Sequence, residues 1–310
     1  MCCLFGMIDY GGNFTGRQRT RLLSILAAEC EARGTDASGI AYNTNGGIHV
    51  YKRPVPAHRL RFRIPTDTQA IMGHTRMTTQ GSEAKNYNNH PFLGHAGDLQ
   101  FALAHNGVLH NDRMLRRSLK LPRTKIQTDS YVAVQLIERK KALDFASLKY
   151  MAEQVEGSFT FTLLDERDNW YLVKGDNPLC LCHFPRSGLY FYASTEDILG
   201  KALKKMCLHL ENPRRVETKC GDVLKIGRDG AIDRSTFDTD SFCWDWPSLM
   251  RTPYVKRRTY RPQSILEQEY LAELKSVAGS FGYTPEDIDE ILRRGFTLDD
   301  VEEMLYCERL

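Results

Sequence analysis

Met1-Cys2-Cys3-Leu4-Phe5-Gly6-Met7-Ile8-Asp9-Tyr10-Gly11-Gly12 opens the chain. Residues 3–8 form a short apolar run suited to a buried strand, and Gly11-Gly12 ends it. Cys2 stands immediately before that run. Removal of Met1 would leave a cysteine whose thiol and α-amino group belong to one residue. By position alone, Cys2 is simply the residue that leads into a buried strand.

Composition bounds what can follow. A chain of 310 residues has room for one large domain, or one domain plus a small appendage, and for a sizeable core. With 42% hydrophobic and 26% charged residues it is a globular chain rather than a disordered one. A net charge of +3 does not imply nucleic acid, and no apolar run is long enough to span a membrane. The opening lacks a basic n-region and meets Asp9 too early for a secretory signal. Nine scattered cysteines, an odd number, fit a reducing cytoplasm better than a disulfide framework, so a cytoplasmic location is expected. Cys180-Leu181-Cys182-His183 has metal-ligand residue types but no second spaced pair, so packing cysteines and no metal are expected.

Periodicity predicts an α+β domain over residues 2–234. A helix is expected at 17–32, and strands at 39–42 and 48–52 flank the hairpin signature Thr44-Asn45-Gly46-Gly47. Strands at 70–74 and 99–105 each end where a polar motif begins. Helices at 112–119, 129–141 and 145–154 precede strands at 159–164, 170–173, 179–183 and 189–193. A helix at 198–206 and a strand at 222–226 close the pattern, which suggests two sheets with helices outside. Residues 235–262 mix Trp244, Trp246, Pro247, Pro253 and Pro262 with Lys256-Arg257-Arg258 and read as a surface linker. Contact with an acidic partner or a nucleic acid is the sharper alternative there. Residues 263–310 predict three short helices at 264–281, 285–294 and 298–306. Thr284 caps the second, with Pro285 at its first position and Gly295 after it, and Thr297 caps the third. So small a bundle is a docking module or a structural cap.

Amide hydrolysis requires a nucleophile, a base near neutral pH and donors for an oxyanion. A thiol titrates near about 8.5 and an α-amino group near about 7.7–8.0, so an N-terminal cysteine carries its own base. In Gly73-His74-Thr75-Arg76-Met77-Thr78-Thr79-Gln80-Gly81 a strand end precedes a polar turn, and Arg76 has the fork that grips a carboxylate at two points. In Ala104-His105-Asn106-Gly107-Val108-Leu109 a strand runs into Asn-Gly. That pair is either a tight hairpin turn or a source of oxyanion donors, through the Asn106 amide and an unobstructed N–H at Gly107. Asp129, in Thr128-Asp129-Ser130, is either a helix cap or a partner for a substrate ammonium. The ordered combination points to an amidohydrolase with an N-terminal nucleophile.

In these residues the chain resembles the class II glutamine amidotransferase domain, the glutaminase half of glucosamine-6-phosphate synthase and glutamine phosphoribosylpyrophosphate amidotransferase. The resemblance rests on Cys2 with Leu4-Phe5-Gly6, on Arg33-Gly34-Thr35-Asp36-Ala37-Ser38-Gly39, and on residues 73–81. Asn88-Asn89-His90-Pro91-Phe92, residues 105–111 and Thr128-Asp129-Ser130 follow in the family's order, and fainter echoes continue to residue 227. It implies a four-layer αββα sandwich of the N-terminal-nucleophile hydrolase type, removal of Met1, a thioester on Cys2 and no cofactor. It further implies that Asn106 and Gly107 form the oxyanion hole, Arg76 holds the glutamine α-carboxylate and Asp129 its α-amino group. Thr79 and His90 would line the pocket, and residues 33–39 would shape its entrance. Cys3, Met77 and Gln80 depart from the family's common glycine, Trp or Tyr, and histidine. Met77 leaves open how the pocket closes over glutamine.

The residues after 234 are too few for a synthase domain, so L-glutamine as substrate and a separate ammonia-accepting synthase as partner are expected, with oligomeric state open. Two alternatives stand beside this. One is hydrolysis of another γ-glutamyl or acyl amide; the other is a catalytically silent protein that senses glutamine or recruits partners.

Overall fold

A computed structural model describes residues 2–208, 210–239, 265–280, 283–293, 298, 301–302 and 305. The aromatic and basic features expected at 244–262, the caps at Gly295 and Thr297, and most of the third C-terminal helix lie outside the described residues. The chain divides into two compact units, Met1–Cys243 and Trp244–Leu310.

In the first unit the opening run is strand β1 (Cys3–Asp9), buried along its whole length. Successive side chains of a strand point to opposite faces, so a run apolar at every position needs cover on both sides. Cys3, Phe5 and Met7 pack on the helical side with Leu22, Leu23 and Leu26 of α1 (Gly16–Cys30), while Leu4 and Ile8 pack on the other. That second face meets another sheet, where Ala102, Ala104, Leu164, Trp170, Leu172 and Leu224 close the inner core.

The remaining strands of this unit are β2 (Ala37–Thr44), β3 (Gly47–Arg53), β4 (Ala70–Arg76), β5 (Phe92–Ala96), β6 (Leu99–Leu109), β7 (Gly157–Asp165), β8 (Trp170–Lys174), β9 (Cys180–Phe184), β10 (Leu189–Ala193), β11 (Arg214–Arg215), β12 (Asp222–Ile226) and β13 (Ile232–Thr236). One sheet runs β11-β9-β10-β1-β4-β2-β3 and the other β13-β12-β8-β7-β6-β5, every pairing antiparallel. Helices α1 and α5 (Glu196–Met206) cover the first sheet. The second is covered by α2 (Asp112–Ser118), α3 (Tyr131–Lys140) and α4 (Phe145–Gln154). The layers are therefore helix, sheet, sheet, helix, as the resemblance implied.

Asn45 and Gly46 turn β2 into β3 with φ of 51° and 74°, the two positive angles of the expected hairpin. Three strands escaped the sequence analysis. β5 alternates cleanly but is short and interrupted by Gly94 and His95; β11 is two residues; β13 is polar and largely exposed, an edge strand with no apolar signal. β13 also carries the second sheet past residue 234, to Thr236. Alternation splits Cys180-Leu181-Cys182-His183: both cysteines pack on the helical side, while His183 stacks on Tyr190 at 4.0 Å and meets the Tyr10 hydroxyl at 2.7 Å. Among the described residues no three His, Cys, Asp or Glu side chains cluster as metal ligands.

In the second unit, α6 (Ile265–Ser280) and α7 (Pro285–Arg293) close a small core of Leu274, Ala278, Ile288, Ile291, Leu292, Leu298, Val301 and Leu305. Thr284 caps α7: its hydroxyl accepts from Asp287 N–H, and its own N–H donates to the Asp287 carboxylate. Among the described residues no helix is long and apolar enough to cross a membrane.

Candidate active site

The two-residue alternation decides which side chains meet between the sheets. In β4, Ala70 and Met72 face the inner core and Ile71 the helical side, so His74 and Arg76 continue the inner face. In β6, Ala102 and Ala104 face inward while Phe101 and Leu103 face α3 and α4, so Asn106 points inward and His105 away. Cys2, one step before Cys3, extends the inner face of β1. Strand parity thus delivers a thiol, a guanidinium and a carboxamide to one layer.

Cys2 is partly exposed, and its Sγ lies 3.4 Å from both the N–H and the carbonyl oxygen of Met77. Burial pushes its thiol above the usual value, and the nearby Asp129 charge adds to this. The Met77 N–H and the Arg76 charge pull the other way. A thiol so placed is mostly protonated at neutral pH and needs a base to become a nucleophile. Arg33 Nε donates to the Cys2 carbonyl at 2.9 Å. The loop that follows packs on the end of β4: Asp36 N–H donates to Arg76 O and its carboxylate accepts from Thr78 N–H at 2.7 Å. A Cβ on Gly34 would lie 2.5 Å from the Arg76 carbonyl carbon, so only glycine lets this loop sit so close.

Arg76 is 3% exposed. Its Nη1 donates to Asn89 Oδ1 at 2.7 Å, and Nη2 donates to the carbonyls of Gln80 and Gly81 at 2.6 and 2.8 Å. A two-point grip on a carboxylate therefore requires one of the loop carbonyls to let go. Asn89, which the sequence analysis quoted without a role, orients the guanidinium, and its own Nδ2 donates to Glu83 O. Lys52 secures the same segment through the carbonyls of Asn89 and Pro91, at 2.5 and 2.8 Å. Burial, with Arg76 close by, lowers the Lys52 amine to about 8.

Asn106 is buried, and among the described residues its Nδ2 has no partner. Gly107 has φ +142°, and a Cβ there would fall 1.9 Å from Ser158 O, so no other residue fits. This Asn-Gly pair is not a hairpin turn; it lies inside β6, paired with Thr160 and Phe159 of β7. Nor is Asp129 a helix cap. Helix α3 begins at Tyr131, and the Asp129 carboxylate instead accepts from Leu109 N–H at 2.7 Å and from the Ser130 hydroxyl at 3.3 Å.

The two remaining residues fare differently. His90 is 4% exposed, its ring 4.2 Å from that of His74 and 4.4 Å from that of Phe92, and neither ring nitrogen has a partner. Burial holds it neutral, well below the usual histidine range, helped by the neighbouring histidines and Arg76. Thr79 lies on the exposed side of its loop; the buried hydroxyl without a partner is that of Thr78. The electrostatic influence of Arg76 and Asp129 on Cys2 brings three of the candidates together, with His90 close to Arg76. Thr79 makes no polar contact with them.

Two facing antiparallel sheets between helical layers, with a cysteine leading into a central strand, define the class of N-terminal-nucleophile hydrolase folds. Two solved structures share this fold at 19% identity. The allosteric regulatory enzyme of purine biosynthesis has a TM-score of 0.61 over 77% of this chain and 50% of its own. Glutamine phosphoribosylpyrophosphate amidotransferase from Bacillus subtilis has a TM-score of 0.60 over 90% of this chain and 58% of its own. Residues 74–200 match the glutamine amidotransferase domain family. The glutamine–fructose-6-phosphate aminotransferase (isomerizing) of Halalkalibacterium halodurans is 32% identical over 242 residues, 76% of this chain and 39% of that protein. The enzyme of the same name from Bacillus licheniformis is 32% identical over 182 residues, 56% of this chain and 29% of its own. The chain carries a class II glutamine amidotransferase domain. It spans well under half the length of these curated relatives.

Proposed function

We propose that this protein hydrolyses the side-chain amide of L-glutamine at Cys2 and passes the ammonia to an acceptor supplied outside residues 2–236. The observation that carries the reading is that the Cys2 thiol lies within electrostatic reach of a buried guanidinium and a buried carboxylate, Arg76 and Asp129. Those two charges complement the carboxylate and ammonium of a free amino acid, and the thiol then faces its side chain.

With Met1 removed, the α-amino group of Cys2 takes the thiol proton, and Sγ attacks the amide carbon. The tetrahedral oxyanion is held by Asn106 Nδ2 and the Gly107 N–H. Collapse breaks the C–N bond, the amine returns its proton to the leaving nitrogen, and ammonia departs from a γ-glutamyl thioester. Water then hydrolyses the thioester, releasing glutamate and restoring the thiol. The buried histidines are not needed as bases. His90 supports the pocket wall behind Arg76, and Thr79 stays at its rim.

The test is turnover by the processed protein. Glutamate should appear from glutamine, a diazoketone analogue of glutamine should label Cys2, and Cys2→Ala should abolish both. Protein that retains Met1 should be inactive, because its base is acylated. Full activity in Cys2→Ala would overturn the mechanism. One observation favours a second substrate class: Met77 is 51% exposed and both Nη2 donors of Arg76 are engaged by its own loop. Cleavage of another γ-glutamyl or acyl amide, with no turnover of glutamine, would establish that reading instead.

A further inference from the structure

Strand β6 changes its surroundings halfway along. Its pairing with β5 stops at Leu103, opposite Phe92, while its pairing with β7 continues to Leu109, opposite Gly157. From Ala104 onward, among the described residues, one edge of β6 therefore has no strand against it. The main-chain groups at such an edge need other partners, or stand open for a ligand.

Two of them have partners, and both partners are side chains. His105 O accepts from His74 Nε2 at 2.9 Å. Because a carbonyl only accepts, His74 is fixed as the Nε2–H tautomer. Burial and the nearby Arg76 charge hold it neutral, down to about 3, so this donor keeps its form across the working pH range. Leu109 N–H is the second, donating to Asp129 Oδ2 at 2.7 Å. In an antiparallel ladder alternate residues turn their main-chain groups to the same edge, so His105, Gly107 and Leu109 share the open one. Gly107 lies midway between the two pinned positions.

The carboxylate that pins Leu109 is itself steered. The Ser130 hydroxyl donates to Asp129 Oδ1 at 3.3 Å and lies within hydrogen-bond distance of His105 Nδ1, 2.8 Å away. Polar contacts thus link His105, Ser130 and Asp129 and return to the main chain of the same strand at Leu109. The His105 ring stacks on Phe161 at 4.6 Å.

We infer that His74 and Ser130 are positioning residues of the glutaminase site: His74 fixes the peptide leading into Asn106 and Gly107, and Ser130 aims the Asp129 carboxylate. The inference rests on the function proposed above. His74 belongs to the strand that ends in Arg76, and β4 and β6 lie in different sheets. Its bond therefore sets the distance between the carboxylate anchor and the oxyanion donors. That distance is what a bound glutamine spans. Gly107, at a φ only glycine adopts, has no rotational restraint of its own and depends on these flanking bonds.

The test compares His74→Leu with His74→Gln and Ser130→Ala with Ser130→Thr, in protein processed at Cys2. His74→Leu removes the donor; kcat for glutamine should fall about 10–100-fold with KM within about 2-fold, since oxyanion stabilisation is lost while anchoring persists. His74→Gln keeps an N–H at nearly the same reach and should recover most of kcat. Ser130→Ala should raise KM about 10-fold, a charge-assisted hydrogen bond being lost at the ammonium anchor, and Ser130→Thr should restore it. Hydrogen exchange of the Leu109 amide reads the same geometry without turnover: faster in Ser130→Ala, unchanged in Ser130→Thr.

Equal losses in His74→Leu and His74→Gln would overturn the inference, since they would follow unfolding and not the donor. So would wild-type kcat in His74→Leu, or a Leu109 amide indifferent to Ser130. If the wild-type protein turns over no glutamine while the Leu109 amide responds as stated, the proposed function fails and the bracket around Gly107 stands as geometry alone.

Discussion

The two ends of β1 make opposite use of buried polar groups. At one end, the Asp9 carboxylate receives Asn13 N–H and Phe14 N–H, at 2.9 and 3.1 Å, and Nε and Nη2 of Arg19, at 3.0 and 2.7 Å. Both charged residues are under 5% exposed. A hollow of about 410 Å³ opens beside them, yet among the described residues no buried side-chain nitrogen or oxygen lining it lacks a partner. At the other end stand Cys2 and, without partners among the described residues, Asn106 Nδ2, Thr78 Oγ1 and both ring nitrogens of His90. Buried polar groups left unpaired cost stability, so a fold that keeps several together is holding them for a ligand. Between these two ends of β1, saturation separates scaffold from site more than concavity does.

The sharpest way to break that comparison is at the saturated end. Arg19→Met leaves the Asp9 charge buried with main-chain donors alone, and removing one partner of a buried ion pair typically costs about 3–5 kcal/mol. Urea unfolding should show a loss of that order, with glutamine turnover per folded molecule unchanged. A fall in specific activity with intact stability would place function at the wrong end of β1.

Asn106→Ala should do the reverse. Losing one oxyanion donor typically lowers kcat about 10²–10³-fold, near 2.7–4 kcal/mol. Stability should change little, because the amide nitrogen that is removed has no partner to lose. A large drop in melting temperature with modest loss of kcat would make Asn106 part of the scaffold.

The contrast between the ends was unequally legible in the sequence. β1, the hairpin at Asn45-Gly46 and helix α4 announce themselves through local pattern, since burial on two faces, positive φ and helical periodicity are all written within a few residues. Cys2, Arg76, Asn106 and Asp129 were nameable because motif order carried them. Their supports were not. Asn89 holds Arg76, His74 ties two sheets and Ser130 steers Asp129 through contacts made between distant strands and loops. The bidentate grip expected of Arg76 failed to foresee Gln80 and Gly81, because carbonyls carry no sequence signal. Asp129 preceding a helix looked like a cap only while the edge of β6 was out of sight.

Acid should expose the difference next. His74, His90 and His105 are held neutral by burial, all below the ordinary value. The unfolded chain binds their protons near pH about 6.5 and the folded one does not, so stability is full above that pH and falls as pH drops below it. For His74 the window closes at about 3. Each histidine contributes a slope of up to about 1.4 kcal/mol per pH unit within its window. Melting temperatures from pH 7.5 to 5 should therefore fall, and His90→Phe should flatten the decline. An unchanged slope in that variant would mean His90 binds its proton equally in the folded and the unfolded chain.

The smallest effect separates two adjacent threonines. The resemblance places Thr79 at the pocket, whereas here Thr79 is exposed and Thr78 offers the buried, unpartnered hydroxyl. Asp36 fixes the Thr78 N–H at 2.7 Å, next in sequence to Met77, whose N–H and carbonyl flank the Cys2 thiol. Thr79→Val exchanges a hydroxyl for a methyl at an exposed position, which typically changes free energies by no more than about 0.5 kcal/mol, roughly 2-fold in kcat/KM. Thr78→Val, nearly the same size, should cost more if that hydroxyl bonds the substrate or the water that attacks the thioester. Should Thr79→Val lower kcat/KM tenfold while Thr78→Val does not, the 77–81 loop must turn over when glutamine binds. Arg76 would then exchange the Gln80 and Gly81 carbonyls for the substrate carboxylate, and the open bonds at this end of β1 would be the released state of a closing loop.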